Sequence, residues 1–150
     1  MMIKELNVKQ LEEIATFFKK VFSQEPWYDD WSDEQQLYHY LIDLMGNNNS
    51  LVFGLFEQDQ MRGLAIGHIR HWYQGTEYRI DELCIETKYQ GKGLGTSFLK
   101  KIEKKIKEQK IETIFLQTGR DIPAYHFYKK NGFTTVDDLI TLVKNVGDLQ

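Results

Sequence analysis

Gln90-Gly91-Lys92-Gly93-Leu94-Gly95 is the part of this chain best suited to holding another molecule. Three glycines at alternate positions let the backbone curl tightly and admit a ligand without Cβ clashes. The helix expected to follow points its unpaired N–H groups, and the positive end of its dipole, into that turn. Such a turn suits a phosphate or pyrophosphate. Its spacing is neither that of a Walker A loop nor the Gly-x-Gly-x-x-Gly of a dinucleotide-binding unit. On the turn alone, a strand–helix connection that binds nothing is the competing reading.

Two further groups of residues could do chemistry. Glu82 lies in the largely apolar stretch Ile80 to Ile85, where a carboxylate is costly to bury without a partner or a task. Burial would raise its pKa toward the range of a general base, acting directly or through water. Strand alternation sets the adjacent Asp81 on the opposite face. His68 and His71 are alternative bases, and an ion pair of Glu82 with Arg79 or Arg70 is the structural alternative. The second group is the segment Glu25 to Glu34, with five carboxylates, three large aromatics and no basic residue. Trp27, Tyr28, Asp29, Asp30 and Trp31 would form one wall of a site for a cationic substrate. A loop pinned by its tryptophans, with solvated charges, carries equal weight.

The elements that must position these residues follow from periodicity. Met2 to Leu6 reads as an opening strand. Asn7 with Gln10 resembles a capping box, and Leu11, Ile14, Ala15, Phe18, Val21 and Phe22 recur at helical spacing. Ser32 with Gln35 is expected to cap a second helix carrying Leu37, Leu41, Leu44 and Met45 on one face. Leu51 to Glu57, Arg62 to Trp72 and Tyr78 to Ile85 read as three strands. Phe98, Leu99, Ile102 and Ile106 stripe the helix after the turn, whose lysine-rich far end suits a solvated helix C-terminus. Glu112 to Thr118 is a buried strand, and Asp121 can cap a helix through Asn131, ended by Gly132. Phe133 to Val136 and Leu139 to Val143 are expected as final strands around the tight Asp137-Asp138 connection. Strand, helix and strand around the glycine turn imply a parallel pair in an otherwise antiparallel sheet.

The bulk numbers set limits. One hundred and fifty residues fit one domain, residues 1–150, large enough to bury a core. A net charge of −3 gives no reason to expect nucleic-acid binding. The single cysteine, Cys84, excludes an internal disulfide and leaves no cluster for a metal. It has no evident activating partner, so an acyl-cysteine intermediate is not expected. No apolar run approaches a membrane span and no signal peptide opens the chain, so a cytoplasmic protein without membrane association is expected.

Gln90-x-x-Gly93-x-Gly95 resembles the Gln/Arg-x-x-Gly-x-Gly/Ala motif of the GCN5-related N-acetyltransferase (GNAT) superfamily. Pro123-Ala124-Tyr125-His126-Phe127-Tyr128-Lys129-Lys130-Asn131-Gly132-Phe133 is similar to that family's Ala-x-x-Phe/Leu-Tyr-x-x-x-Gly-Phe helix end. The resemblance is strong from Leu55 to Phe133 and loose before it. It implies an α/β (α+β) fold with a mixed, mostly antiparallel sheet of about 6–7 strands, a central splayed parallel pair and about 4 helices.

It also implies acetyl-CoA as cosubstrate, its pyrophosphate on the turn from Gln90 through Gly91, Lys92, Gly93, Leu94 and Gly95 to Thr96. The main chain of Leu83, Cys84 and Ile85 would pair with pantetheine, with one N–H polarising the thioester carbonyl. Tyr128 occupies the position where many members place a tyrosine near the sulfur, with Tyr125 one turn earlier as the fallback. Asp121 replaces the asparagine many members carry there, so that contact is in doubt.

The implied reaction is direct transfer to a primary amine. The acidic aromatic segment favours a small cationic acceptor, aminoglycoside- or polyamine-like, as in aminoglycoside 6′-N-acetyltransferases. A protein or peptide N-acetyltransferase, or a non-catalytic acyl-CoA-binding regulatory module, remains the alternative. The family is often dimeric, which leaves a homodimer open.

Overall fold

The structure, a computed structural model, describes residues 1–147. The chain forms two compact units, Met1–Gln117 and a second that begins at Thr118.

The first unit is built on one five-stranded sheet in the order β1-β2-β3-β4-β5. Its strands are β1 (Met2–Leu6), β2 (Ser50–Glu57), β3 (Gln60–Trp72), β4 (Gly75–Ile85) and β5 (Thr113–Leu116). The first four pair antiparallel, and β4 and β5 pair parallel. Three helices pack on them: α1 (Leu11–Phe22), α2 (Glu34–Met45) and α3 (Leu94–Glu108). The right-handed crossover expected of a strand–helix–strand unit accounts for α3 lying between the two parallel strands in sequence.

Each sheet face carries its own core. Ile14, Phe18, Val21 and Phe22 of α1 and Leu37 and Leu41 of α2 pack on Val52, Leu64, Ile66 and Cys84. On the other face, Phe98, Ile102 and Ile106 of α3 meet Leu55, Ala65, Tyr78 and Ile80. The α1 stripe works because residues three and four apart share a face, and burying each such side chain contributes about 1.5–3 kcal/mol. The Asn7–Gln10 capping box forms as expected, on the short 3-10 turn Val8–Gln10 that leads into α1. The cap of α2 is Asp33, which accepts from the Gln36 N–H at 3.1 Å, rather than Ser32. Ser32 instead closes a local turn by donating its N–H to Asp30 Oδ1 at 3.0 Å.

Two irregularities in the β3–β4–β5 region shape the functional face. Between β3 and β4 the register runs Ile66↔Glu82 and then Gly67↔Ile80, so Asp81 is the extra residue of a β-bulge. Gly67 sits under this bulge, where a Cβ would come within 2.4 Å of the Arg79 carbonyl oxygen and 2.6 Å of the Tyr78 ring. Between β4 and β5, pairing spans only Glu77↔Thr113 to Ile80↔Leu116, while β4 itself continues to Ile85. The parallel strands part company beyond Ile80.

In the second unit, α4 spans Pro123–Lys130, with Pro123 at its first position. Its N-cap is Ile122, without a side-chain cap, and Asp121 lies just outside with φ 61°. Gly132, at φ 91°, ends the helix as expected, and the Phe133 N–H donates back to the Tyr128 carbonyl at 3.0 Å. The expected final strands do not form among the described residues. A turn occurs at Asp137-Asp138, but its flanks are irregular, with Ile140, Leu142 and Val143 at 79%, 82% and 90% exposure. β-propensity expresses a fit to neighbouring strands rather than an intrinsic backbone preference, so a β-branched composition does not by itself make a strand. Among the described residues the sheet therefore has five strands, fewer than the sequence pattern suggests.

Candidate active site

The bulge decides where the acids go. With Asp81 inserted, Glu82 and Cys84 turn to the α1/α2 face, while Leu83 and Ile85 join the α3 face. Asp81 contacts His68 Nδ1 at 3.0 Å, and His68 is two residues along β3 from Ile66, on the same face. Asp81 and Glu82 thus point to one side of the sheet, contrary to simple alternation. Adjacent bulge residues share a face because the extra residue interrupts the pleat.

Glu82 accepts a hydrogen bond from Tyr40 Oη of α2 at 2.5 Å. Among the described residues it has no salt bridge. Arg79 pairs instead with Glu77 at 3.1 Å and lies over the Phe115 ring, which removes the ion-pair alternative for Glu82. Burial raises the Glu82 pKa; the Tyr40 hydrogen bond opposes the shift, and the charges of Asp29 and Asp81 add to it. A partly buried carboxylate held above its ordinary range, with a positioned hydroxyl beside it, is a better proton acceptor than an exposed one. The Tyr40 hydroxyl is itself driven upward by burial and by Glu82, so it donates and does not ionise.

The acidic, aromatic segment contributes to the same face. Trp31 stacks on Tyr40 with ring centroids 5.2 Å apart, and meets Phe18 edge-on at 5.6 Å. Its indole N–H is buried with no hydrogen-bond partner among the described residues. Trp27 packs edge-on against Phe22 at 4.9 Å. Both tryptophans are partly buried against the α1/α2 core, so they anchor the loop. Tyr28 is 67% exposed at φ 49°. Asp29 is close enough to raise both Glu82 and Tyr40 electrostatically. Asp30 is exposed and held low by the Ser32 hydroxyl and N–H. Asp29, Asp81 and Glu82, with Trp31 and Tyr40, therefore share a neighbourhood. Tyr40 carried no signal in the sequence, since one tyrosine among Tyr38, His39 and Tyr40 on an amphipathic helix looks like surface or core.

Cys84 lies behind this cluster, 4% exposed, with burial pushing its thiol up. It is a packing residue in an environment that disfavours the thiolate a nucleophile requires.

The glycine turn lies past the end of β4. Gly91 and Gly93 have φ 77° and 81°, in the left-handed region where a side chain would be strained, and a Cβ at either would meet open space. Gly93 is the N-cap of α3 and no side chain caps that helix, so N–H groups of its first turn remain available. Gln90 reaches back from the turn to the Ile85 carbonyl at 2.9 Å and ties it to the strand end. An uncapped helix N-terminus, glycines open on one side and a β4 edge beyond Ile80 outside the β5 pairing together fit a pyrophosphate carried on an extended arm. Leu83, Cys84 and Ile85 lie on that stretch of β4.

Tyr125 and Tyr128 lie on α4 in the second unit, Tyr125 edge-on to His126 and Tyr128 between Phe127 and Phe133, at 5.3 and 5.2 Å. His71 is exposed near the far end of β3.

A model of the Acetyltransferase (GNAT) family matches residues 9–133. The uncharacterized protein YdhI of Bacillus subtilis is 30% identical over 89 residues, covering 53% of this chain and 54% of YdhI. The chain thus spans about half the length of that relative. An aminoglycoside acetyltransferase from an uncultured soil metagenomic sample, in complex with sisomicin, superposes with TM-score 0.72 at 19% identity, over 97% of this chain and 95% of that one. A predicted acetyltransferase with acetyl-CoA from Clostridium acetobutylicum gives TM-score 0.71 at 20% identity, over 95% of each chain. At such identities these structures share the fold.

Proposed function

The chain belongs to the acetyltransferase (GNAT) family, and on that premise we propose that it moves an acetyl group from acetyl-CoA to a primary amine of a small cationic acceptor. The observation that carries the reading is the gathering of Asp29, Asp81 and Glu82 beside the Trp31–Tyr40 stack. Carboxylates and aromatic faces together favour an ammonium. The aminoglycoside complex of the structural neighbour is consistent with an acceptor of that class.

In this reading the N–H groups from Gly91 to Thr96 hold the pyrophosphate, and the β4 main chain from Leu83 to Ile85 aligns the pantetheine arm. Asp29 and Asp81 draw the ammonium in, and Glu82 takes its proton, directly or through water. The free amine attacks the thioester carbon, and a β4 N–H stabilises the oxyanion. Collapse of the adduct expels the thiolate; Tyr128, by its place in the Ala124 to Phe133 motif, supplies the sulfur with a proton and regains one, through solvent, from the acylated nitrogen as it becomes the amide. The buried, protonated Cys84 supports direct transfer without an acyl-enzyme.

Thermal unfolding with and without acetyl-CoA tests the first half of this. At about 100 times its dissociation constant the ligand should add roughly 2.7 kcal/mol. Gly93→Asp, which puts a charged Cβ-bearing residue in the left-handed cap, should abolish that gain. No stabilisation of the wild type at millimolar acetyl-CoA would overturn the assignment. A screen of polyamines and aminoglycosides against peptides then tests the acceptor class.

A further inference from the structure

Glu86 is the one buried charged residue outside the acidic face that the mechanism leaves unused. It follows β4 directly, is 3% exposed, and is the only polar residue among the buried ones described. All four of its polar groups are engaged. Its N–H donates to the Arg62 carbonyl at 2.8 Å and its carbonyl accepts the Tyr89 N–H at 2.8 Å. Oε1 accepts from Lys20 Nζ of α1 at 2.9 Å, and Oε2 from Arg62 Nη1 of β3 at 2.7 Å. Burial alone would raise this carboxyl, but the hydrogen bonds from Lys20 and Arg62 prevail and hold it below the usual range.

Arg62 grips the same loop a second time. Its guanidinium lies 4.8 Å from the Tyr89 ring centroid and 3.1 Å from Glu57 Oε1, and Tyr89 Oη donates to that same oxygen at 3.2 Å. Glu86 and Tyr89 bracket the short 3-10 turn Thr87–Tyr89, immediately before Gln90 and the glycines. The loop is thus bolted down at both ends of that turn, whereas a Cβ at Gly91 or Gly93 would meet only open space.

We propose that Glu86 is a positioning residue for the pyrophosphate turn, locking the loop between Lys20 and Arg62 so that the N–H groups from Gly91 to Thr96 are aimed before the ligand arrives. The inference rests on the reading of that turn as the acetyl-CoA site. Fixing the donors in advance removes an ordering cost from binding. It also ties α1, which leads into the acidic segment, to the cofactor turn.

The test compares wild type, Glu86→Gln and Lys20→Met by calorimetric titration with acetyl-CoA, and by kinetics with acetyl-CoA and with S-acetylpantetheine, which lacks the pyrophosphate. Glu86→Gln should weaken acetyl-CoA binding by about tenfold, the scale of one lost charged hydrogen bond, with kcat nearly unchanged. Its kcat/KM with S-acetylpantetheine should match wild type. Lys20→Met, which alters only the solvent-facing end of the clamp, should show a smaller loss of the same kind and covers the case in which Glu86→Gln does not fold. Equal binding of acetyl-CoA by wild type and both variants would overturn the inference while leaving the proposed function standing. Equal losses with both acyl donors would also overturn it, pointing to general distortion. Failure of the wild type itself to bind would remove the reading beneath it.

Discussion

The glycine turn, proposed above for the cofactor, and the acidic face are built by opposite means. Gln90 to Thr96 is continuous in sequence, and its chemistry comes from backbone N–H groups that glycines leave accessible. The acidic face is assembled from four places: Asp29 after α1, Tyr40 on α2, His68 on β3, and Asp81 with Glu82 at a bulge in β4. Its chemistry comes from side chains whose environment is set by neighbours far away in the chain. A backbone site should tolerate substitution of anything but its glycines. A side-chain site should respond to each member more strongly the closer that member lies to the reacting proton.

That contrast can be broken at several points. Glu82→Gln removes the proposed proton acceptor and should lower kcat by about 10²–10⁴-fold while acetyl-CoA binding is retained. Calorimetry beside steady-state kinetics checks it; loss of binding instead would mean that the two regions are not separable. Gly67→Ala attacks the bulge from beneath, where the added methyl meets the Arg79 carbonyl and the Tyr78 ring. It should cost about 1–3 kcal/mol in denaturant unfolding and reduce turnover more than cofactor affinity.

Tyr40→Phe deletes the hydrogen bond that opposes the upward shift of Glu82. The carboxylate form then loses support, so the acid limb of the kcat/KM profile should move to higher pH. An unmoved limb would assign the titration to another group. Asp29→Asn should have the smallest effect. It should raise KM for a polycationic acceptor by about threefold at low ionic strength, fading at high salt because an exposed charge is screened. A salt-independent change would argue for a contact role.

How much of this was legible beforehand depends on the range of the interactions involved. The α1 stripe, the Asn7–Gln10 cap and the glycine turn all depend on residues within about one helical turn of each other, and each appears where the pattern placed it. Gln90, five residues from its partner, ties the turn to the Ile85 carbonyl. The cap of α2 moved by one residue, because Ser32 and Asp33 can both cap and the Ser32 hydroxyl is turned to Asp30 instead. The Asp81 and Glu82 faces could not be read, since a bulge is a property of two paired strands. Tyr40 and Arg62 gave no local sign of their roles for the same reason.

The C-terminal segment shows the limit from the other side. Leu139 to Val143 has the composition of a strand, yet is irregular and largely exposed, for β-propensity expresses packing context more than composition. By itself the sequence determined what short-range geometry enforces: the helices, the left-handed glycines and the uncapped start of α3 that follows them. Only the tertiary structure decided which carboxylates meet, and which of them is buried beside Tyr40 or clamped between Lys20 and Arg62. Desolvation and ion pairing depend on what surrounds a group in space, and for Glu82 and Glu86 those surroundings come from strands and helices many residues away.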